Sequence, residues 1–340
     1  MIVCYFGFYN PEYSRNRILI KGLRQNGIEI IECNSRLRGI AKYLELAKKH
    51  FKIRKNYDAV IVGFPGYQAV ILAKFLTRKK IIFDAFTSIY DSMVWDRQLA
   101  HPRGLRAGYY WLLDWVSCKL ADKILLDTMA NIDYFVKTFR LKPEKFRRIF
   151  VGSDDEAIYP LAKKEKRNYF LVHFHGSFIP LQGIEYIIKA AKILEKENVM
   201  FNIIGSKIKK KYKNLKSINI NFVENVPYKK LKDYLAEADL CLGIFGDTPK
   251  VARVIPNKVF EALAAKRPVI TGESHAIKEI LSDRKNVLLC GIADARDLAD
   301  KIMELKSNPE LREKIAENGY NLFKEKLTPK QAVELLLDIL

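Results

Sequence analysis

Several things are scarce or missing in this chain of 340 residues, and each narrows what it can be. No stretch comes near the roughly 20 consecutive apolar residues that a membrane span needs, and Met1 to Phe8 enters a strand-like pattern without a basic leader or cleavage site. Neither secretion nor membrane spanning is therefore expected. The five cysteines, Cys4, Cys33, Cys118, Cys241 and Cys290, are scattered through mostly apolar runs with no CxxC pair. That spacing suits reduced core thiols of a cytoplasmic protein and excludes a zinc or redox motif. His50, His101, His173, His175 and His275 lack metal-ligand spacing, and no DxD or carboxylate cluster suggests bound magnesium. No metal and no cofactor are expected. Walker and Gly-x-Ser-x-Gly patterns are absent, so P-loop and serine-hydrolase readings have no support. No RNA-binding pattern is found, and no nucleic-acid partner is expected.

What is present is an ordinary globular composition, 49% hydrophobic and 29% charged, in a chain long enough for two domains. The formal charge of +20 is uneven. Residues 1–152 hold 27 Lys and Arg against 13 Asp and Glu, and residues 153–340 hold 32 against 26, giving +14 and +6. The basic N-terminal half can attract an anionic membrane surface or lipid-linked phosphate, with attachment to the inner face of the cell membrane as the consequence. A lysine-rich surface without a partner is the alternative.

Short β-branched runs alternate with helical patterns twice over, which is the pattern of doubly wound parallel sheets. In the first half 2–8, 29–33, 59–64, 80–86, 123–128 and 146–151 read as strands, with helices over 15–25, 39–51, 67–77, 105–120 and 129–139. The helix over 105–120 carries Tyr109, Tyr110, Trp111 and Trp115, which would suit a membrane surface, but its place between two strands favours a core helix. Gly152 to Glu156, Tyr159-Pro160 and the charged run 163–167 mark a break. The domains are expected at 1–155 and 169–325, joined by a linker over 156–168, with a helix over 326–340 crossing back to the first domain. In the second half 169–175, 199–204, 220–223, 239–245, 268–271 and 286–289 read as strands, alternating with helices over 184–196, 228–237, 257–265, 275–281 and 295–306, and then 309–325 and 329–339.

Open parallel sheets bind ligands at the carboxyl ends of their strands. Candidate loops there are Gly7 to Pro11, Gly63 to Gly66, Asp84 to Asp91, Gly176-Ser177, Gly205-Ser206, Asn225-Val226-Pro227 and Gly246 to Pro256. The last runs through Arg253, Ile255 and Pro256 into Asn257-Lys258-Val259-Phe260-Glu261. Pro256 suits the first turn of a helix, whose free N–H groups can hold a diphosphate. Arg253 and Lys258 add two cations there, as a departing diphosphate needs without a metal. Glu261, one turn on in an apolar helix, can accept both ribose hydroxyls. Its alternative is a local pairing with Lys258 or Lys266.

The run Phe260-Glu261-Ala262-Leu263-Ala264-Ala265-Lys266-Arg267-Pro268-Val269-Ile270 resembles the LEAMACGKPVI block of the retaining glycosyltransferases of family 4, or group 1, which have the GT-B fold. Residues 151–160 are similar to that group's NGVDxxxFxP hinge, 175–183 to its GRLxxxKG loop, 222–231 to its FxGxVPxxxL base loop, and 325–340 to its terminal crossing helix. The likeness is firm over 150–340 and loose before it. Three positions depart from it: Arg253 stands eight before Glu261 where the group has an acid, Gln182 replaces the Lys before Gly183, and Ser177 replaces an Arg. The chain resembles a variant branch reading Pro-Asn-Lys-x-x-Glu.

The resemblance implies two Rossmann-like domains facing a cleft, the donor nucleotide-sugar in the C-terminal one and a glycan or lipid-linked acceptor in the N-terminal one. It implies a donor side of Gly176, Ser177, Gly205, Asn225, Val226, Ile255, Pro256, Asn257 and Glu261, with the base at Val226 and the diphosphate at the Gly176 loop. Arg253, Lys258 and Asp84 are the catalytic candidates. Tyr9, Arg15, Thr87 and Asp91 are the acceptor candidates. The reaction implied is retention, with the departing phosphate helping to deprotonate the acceptor. An epimerase or phosphorylase on the same fold, and a basic protein binding an anionic surface or RNA, remain alternatives.

Overall fold

A computed structural model describes residues 1–162 and 167–340; most of the charged run expected in the linker lies outside the described residues. Contacts divide the chain into one unit of Met1–Val151 with Thr328–Leu340 and a second of Gly152–Leu327.

The first unit is built on six parallel strands, β1 (Ile2–Gly7), β2 (Glu29–Asn34), β3 (Ala59–Val62), β4 (Lys80–Phe86), β5 (Lys123–Leu126) and β6 (Phe146–Arg148), in the order β2-β1-β3-β4-β5-β6. β3 and the interior of β4 are wholly buried, as an apolar run covered on both faces requires. The helices are α1 (Ser14–Gln25), α2 (Ala41–Ile53), α3 (Tyr67–Leu76), α4 (Leu105–Leu120) and α5 (Met129–Phe139). A π-helical turn over Asp91–Asp96, not legible in the sequence, follows β4.

The last residues of the chain belong to this unit as α13 (Pro329–Ala332) and α14 (Glu334–Leu337), in place of the single helix expected over 329–339. Val333, Leu336 and Ile339 pack with Val3, Tyr5, Leu19 and Leu23. Gly22 makes this possible, because a Cβ there would overlap the Pro329 carbonyl.

The second unit has β7 (Phe170–His175), β8 (Val199–Ile204), β9 (Ile220–Val223), β10 (Leu240–Leu242), β11 (Val269–Gly272) and β12 (Leu288–Cys290), all parallel, in the order β12-β11-β10-β7-β8-β9. Its helices are α6 (Ile184–Ile193), α7 (Ser206–Lys211), α8 (Leu231–Glu237), α9 (Asn257–Ala264), α10 (His275–Lys278), α11 (Ala295–Ser307) and α12 (Pro309–Lys326). The strand order reverses between β7 and β10, the place where such sheets leave a crevice at their carboxyl ends.

Two sequence expectations change in the first unit. Arg15 and Asp84, foreseen on the acceptor path and at the catalytic step, are fully buried and spent on each other. Arg15 Nε donates to Asp84 Oδ1 at 2.9 Å and to Oδ2 at 3.1 Å, while Nη1 donates to the Ile149 carbonyl at 2.5 Å. Burial pushes the Asp84 carboxyl up against the opposing pull of Arg15. The pair ties α1 to β4 and to the segment after β6. Tyr9 is buried as well, its hydroxyl donating to Glu32 at 3.0 Å. Removing one member of a buried pair strands the other charge, at a cost of about 3–5 kcal/mol. Asp84→Ala is therefore expected to lower the denaturation midpoint strongly, and Arg15→Met/Asp84→Ala to recover part of the loss. Urea unfolding of both variants checks this; an Asp84→Ala protein as stable as wild type contradicts it.

Candidate functional site

The richest group of polar side chains in the second unit lies at the reversal point between β7 and β10. β7 ends His173-Phe174-His175 and passes into the Gly176-Ser177 loop. This loop and the one after β10 interlock. Phe245 N donates to the Gln182 carbonyl and Gly246 N to the Leu181 carbonyl, both at 3.3 Å. Gly183 sits at φ 64° with its Cα hydrogens against the Phe245–Gly246 backbone. No other residue meets both demands, conformational and steric.

Onto this lock packs α9. Residues 258–264 of α9 are all buried, so its two charged residues must find partners inside the protein. Lys258 donates to Gln182 Oε1, and its Nζ stands 3.6 Å from the centre of the Phe174 ring. Burial holds its amine well below the usual lysine range, with Glu261 pulling the other way. A Cβ on Gly176 would come within 2.8 Å of that Nζ, so the Lys258 amine lies directly under the loop. Lys258 thus reaches the position of Gln182, where the resembled group has its lysine, from a different helix.

Glu261 is 5% exposed and pairs with His175, Nε2 to Oε2, at 2.7 Å. His175 Nδ1 lies 3.0 Å from His173 Nε2. The partners assign the protons. A carboxylate can only accept, so His175 carries its proton on Nε2. Its bare Nδ1 then accepts from His173 Nε2–H, which leaves His173 Nδ1 bare, and that atom is the buried one without a partner. Burial, His175 and Lys258 all hold His173 well below its usual range, so that imidazole stays neutral. One oxygen of Glu261 is fixed by this relay and Oε1 is left over. The alternative local pairing does not occur: Lys266 goes to Glu317.

The remaining donor-side candidates fall around this group. Gly205 caps α7, its N–H bonded to Val223 O at 2.9 Å, and a Cβ on it would approach Gly176 O to 2.6 Å. Asn225 and Ser206 exchange side-chain and backbone bonds at 2.9 and 3.0 Å, beside half-buried Val226. Ser177 is exposed and Ile255 buried. Asn257 is the first residue of α9, as expected, and Pro256 is its N-cap, not a residue of its first turn. Arg253 ends a 3-10 turn and donates to the Pro249 carbonyl at 2.9 Å. In the first unit, Thr87 and Asp91 lie in a segment organised by buried Asp114, whose carboxylate accepts from Ser88 Oγ at 2.6 Å and Tyr90 N at 2.9 Å. Burial pushes Asp114 up to about 7.

Sequence reasoning missed the relay. His173 and His175 share one side of a strand two residues apart, and that spacing beside a glycine turn was the available signal.

Two parallel six-stranded sheets with flanking helices, the second carrying polar groups at its strand-order reversal, define a doubly wound α/β protein of two units. The family model for glycosyl transferases group 1 matches residues 153–322, and the chain belongs to that family. An uncharacterized glycosyltransferase of Methanocaldococcus jannaschii is 28% identical over 179 residues, 52% of this chain and 48% of the relative. The chain thus matches about half the length of that curated relative. Among solved structures, sucrose-phosphate synthase of Thermosynechococcus elongatus superposes with a TM-score of 0.77 at 13% identity, over 100% of this chain and 98% of that one. HepE of Anabaena, solved in complex with UDP-glucose, gives 0.72 at 14% identity over the whole of both chains. The fold is GT-B.

The lock between the loops carries a stability prediction. Alanine at Gly183 would meet the left-handed conformation, about 1–2 kcal/mol, and backbone overlap, about 1–3 kcal/mol. Thermal unfolding of Gly183→Ala is expected to show a clear loss relative to wild type; an unchanged midpoint would remove the lock from the account.

Proposed function

We propose that the protein is a retaining glycosyltransferase that moves a sugar from a nucleotide-sugar to a glycan or lipid-linked acceptor without a metal ion. The observation that carries this reading is the buried Glu261 carboxylate, held by His175 through one oxygen with the other left for a ligand. The complex of HepE with UDP-glucose, on the same fold, supports a nucleotide-sugar as the donor.

In this reading Glu261 Oε1 accepts from the ribose hydroxyls and the loops at Gly205 and Asn225-Val226 flank the base. The diphosphate lies over the Gly176 loop and the N-terminus of α9, with the N–H groups near Asn257 directed at it. Lys258 supplies the charge from below. Its burial disfavours the ammonium in the free protein, and a diphosphate arriving beside it restores the proton. As the glycosidic bond breaks, negative charge grows on the diphosphate and Lys258 opposes it. The departing phosphate takes the acceptor proton on the same face, giving retention. Arg253 serves the same diphosphate from the turn before α9. Thr87 keeps an acceptor assignment in this reading, whereas buried Arg15, Asp84, Tyr9 and Asp91 shape the unit that offers it. The basic first unit binds an anionic membrane surface, which places the protein at the inner face of the cell membrane.

Two measurements test the donor side. Glu261→Ala is expected to weaken nucleoside diphosphate binding by about tenfold to a hundredfold, the worth of hydrogen bonds to a charged group; unchanged affinity in a titration returns Glu261 to a structural role. Binding at a pH where burial keeps Lys258 neutral is expected to draw a proton onto it. Calorimetry in buffers of different ionisation enthalpy should then give different heats, and Lys258→Met should abolish the difference. Heats independent of buffer in the wild type contradict the role given to Lys258.

A further inference from the structure

Arg15 and Asp84 are buried and spent on each other, whereas Tyr9, though buried, lines an open space in the first unit. A cavity of about 570 Å³ opens at the carboxyl ends of β1 and β2. Every charged side chain lining it is a cation: Arg36, Arg38 and Lys42. Lys42 is fixed, donating to Gln68 Oε1 at 3.1 Å and standing 4.5 Å from the centre of the Phe8 ring. Arg36 and Arg38 are exposed and have no hydrogen-bond or ion partner among the described residues. Carboxylates on the flanking elements are engaged, Glu32 by Arg24 and by Tyr9 of the cavity wall, Glu45 by Lys49 and by Ser35 of that wall. Three cations around a concave space with no acid in its lining suit a phosphate group.

An apolar surface starts at the mouth of this cavity. Leu37 is 51% exposed beside the two arginines, and Ile40, Leu44 and Phe51 are 77%, 69% and 54% exposed. At 100° per residue the last three form one stripe along α2, turned away from the packed residues Leu46 and His50 and flanked by Lys48 and Lys52. The stripe is about 16 Å long at 1.5 Å per residue, the scale of an acyl or isoprenyl chain rather than a nucleotide. It also continues sideways. Tyr43 of α2 and Tyr109 of α4 both bond Gln68 of α3, at 2.5 and 3.2 Å, so the three helices lie side by side. Their outer surface adds Phe75, Leu105, Tyr109 and Leu112, all exposed. The sequence reading of α4 as a core helix accounts for its Ala107, Leu113 and Cys118 face and not for this one. An apolar layer rimmed by cations matches an anionic bilayer, whose interior receives the apolar groups and whose phosphates meet the arginines.

We propose that Arg36, Arg38 and Lys42 bind the terminal phosphate of a membrane lipid whose apolar chain lies against Leu37 and the α2 stripe. That this lipid is the sugar acceptor rests on the function proposed above; the binding site itself does not.

Flotation of the full chain with phosphatidylcholine vesicles tests it, using vesicles without additive, with a long-chain isoprenyl phosphate, and with phosphatidylglycerol at equal charge. The isoprenyl phosphate vesicles are expected to retain about tenfold or more protein than the phosphatidylglycerol ones. Arg36→Ala/Arg38→Ala is expected to erase that preference, and Ile40→Ser/Leu44→Ser to lower binding to both. Equal binding to both anionic vesicles, or a preference that survives loss of the two arginines, overturns the site. Binding of inorganic pyrophosphate without vesicle binding overturns the lipid. Thermal shift with nucleoside diphosphates, which reads the other unit, separates the failures: its absence alongside specific flotation removes the donor reading and leaves this site.

Discussion

The burial of residues 258–264 of α9 is the constraint on which the second unit's chemistry depends. A helix covered on every side cannot leave an ammonium and a carboxylate in its first two turns without partners. Lys258 and Glu261 are therefore delivered to fixed places, the one under the Gly176 loop against Gln182 and Phe174, the other onto His175. Both partners come from β7 and the loop that follows it. The seat for α9 is in turn held by the contact of Gly183 with the Phe245–Gly246 backbone.

The same arrangement accounts for the departures from the family pattern. A lysine before Gly183 and an arginine after Gly176 are both absent, yet a lysine amine still reaches the loop, now from α9. Gln182 is the acceptor that steadies it. The buried relay His173–His175–Glu261 adds a feature that the pattern does not contain. It fixes one carboxylate oxygen, and burial holds the His173 imidazole at its base neutral.

Much of the fold was legible because parallel strands buried on both faces read as uniform apolar runs between amphipathic helices. β3, β7 and β8 came out of the sequence within about two residues for that reason. The π-helical turn after β4 did not, since no side-chain period announces it. Glu261 stood out as a lone acid in an apolar helix. Arg15 and Asp84 misled, because polar residues near strand ends look alike whether they face a ligand or each other, and only tertiary packing closes an ion pair across 69 positions. The exposed stripe of α2 was hidden for a related reason. A helix that turns apolar residues outward has the composition of one that turns them in.

Hydrogen exchange of the full chain with and without nucleoside diphosphates tests the central claim most directly. The account predicts protection at 176–183, 205–206, 225–227 and 253–261, all within the second unit. Protection absent from these segments, or confined to others, would contradict it.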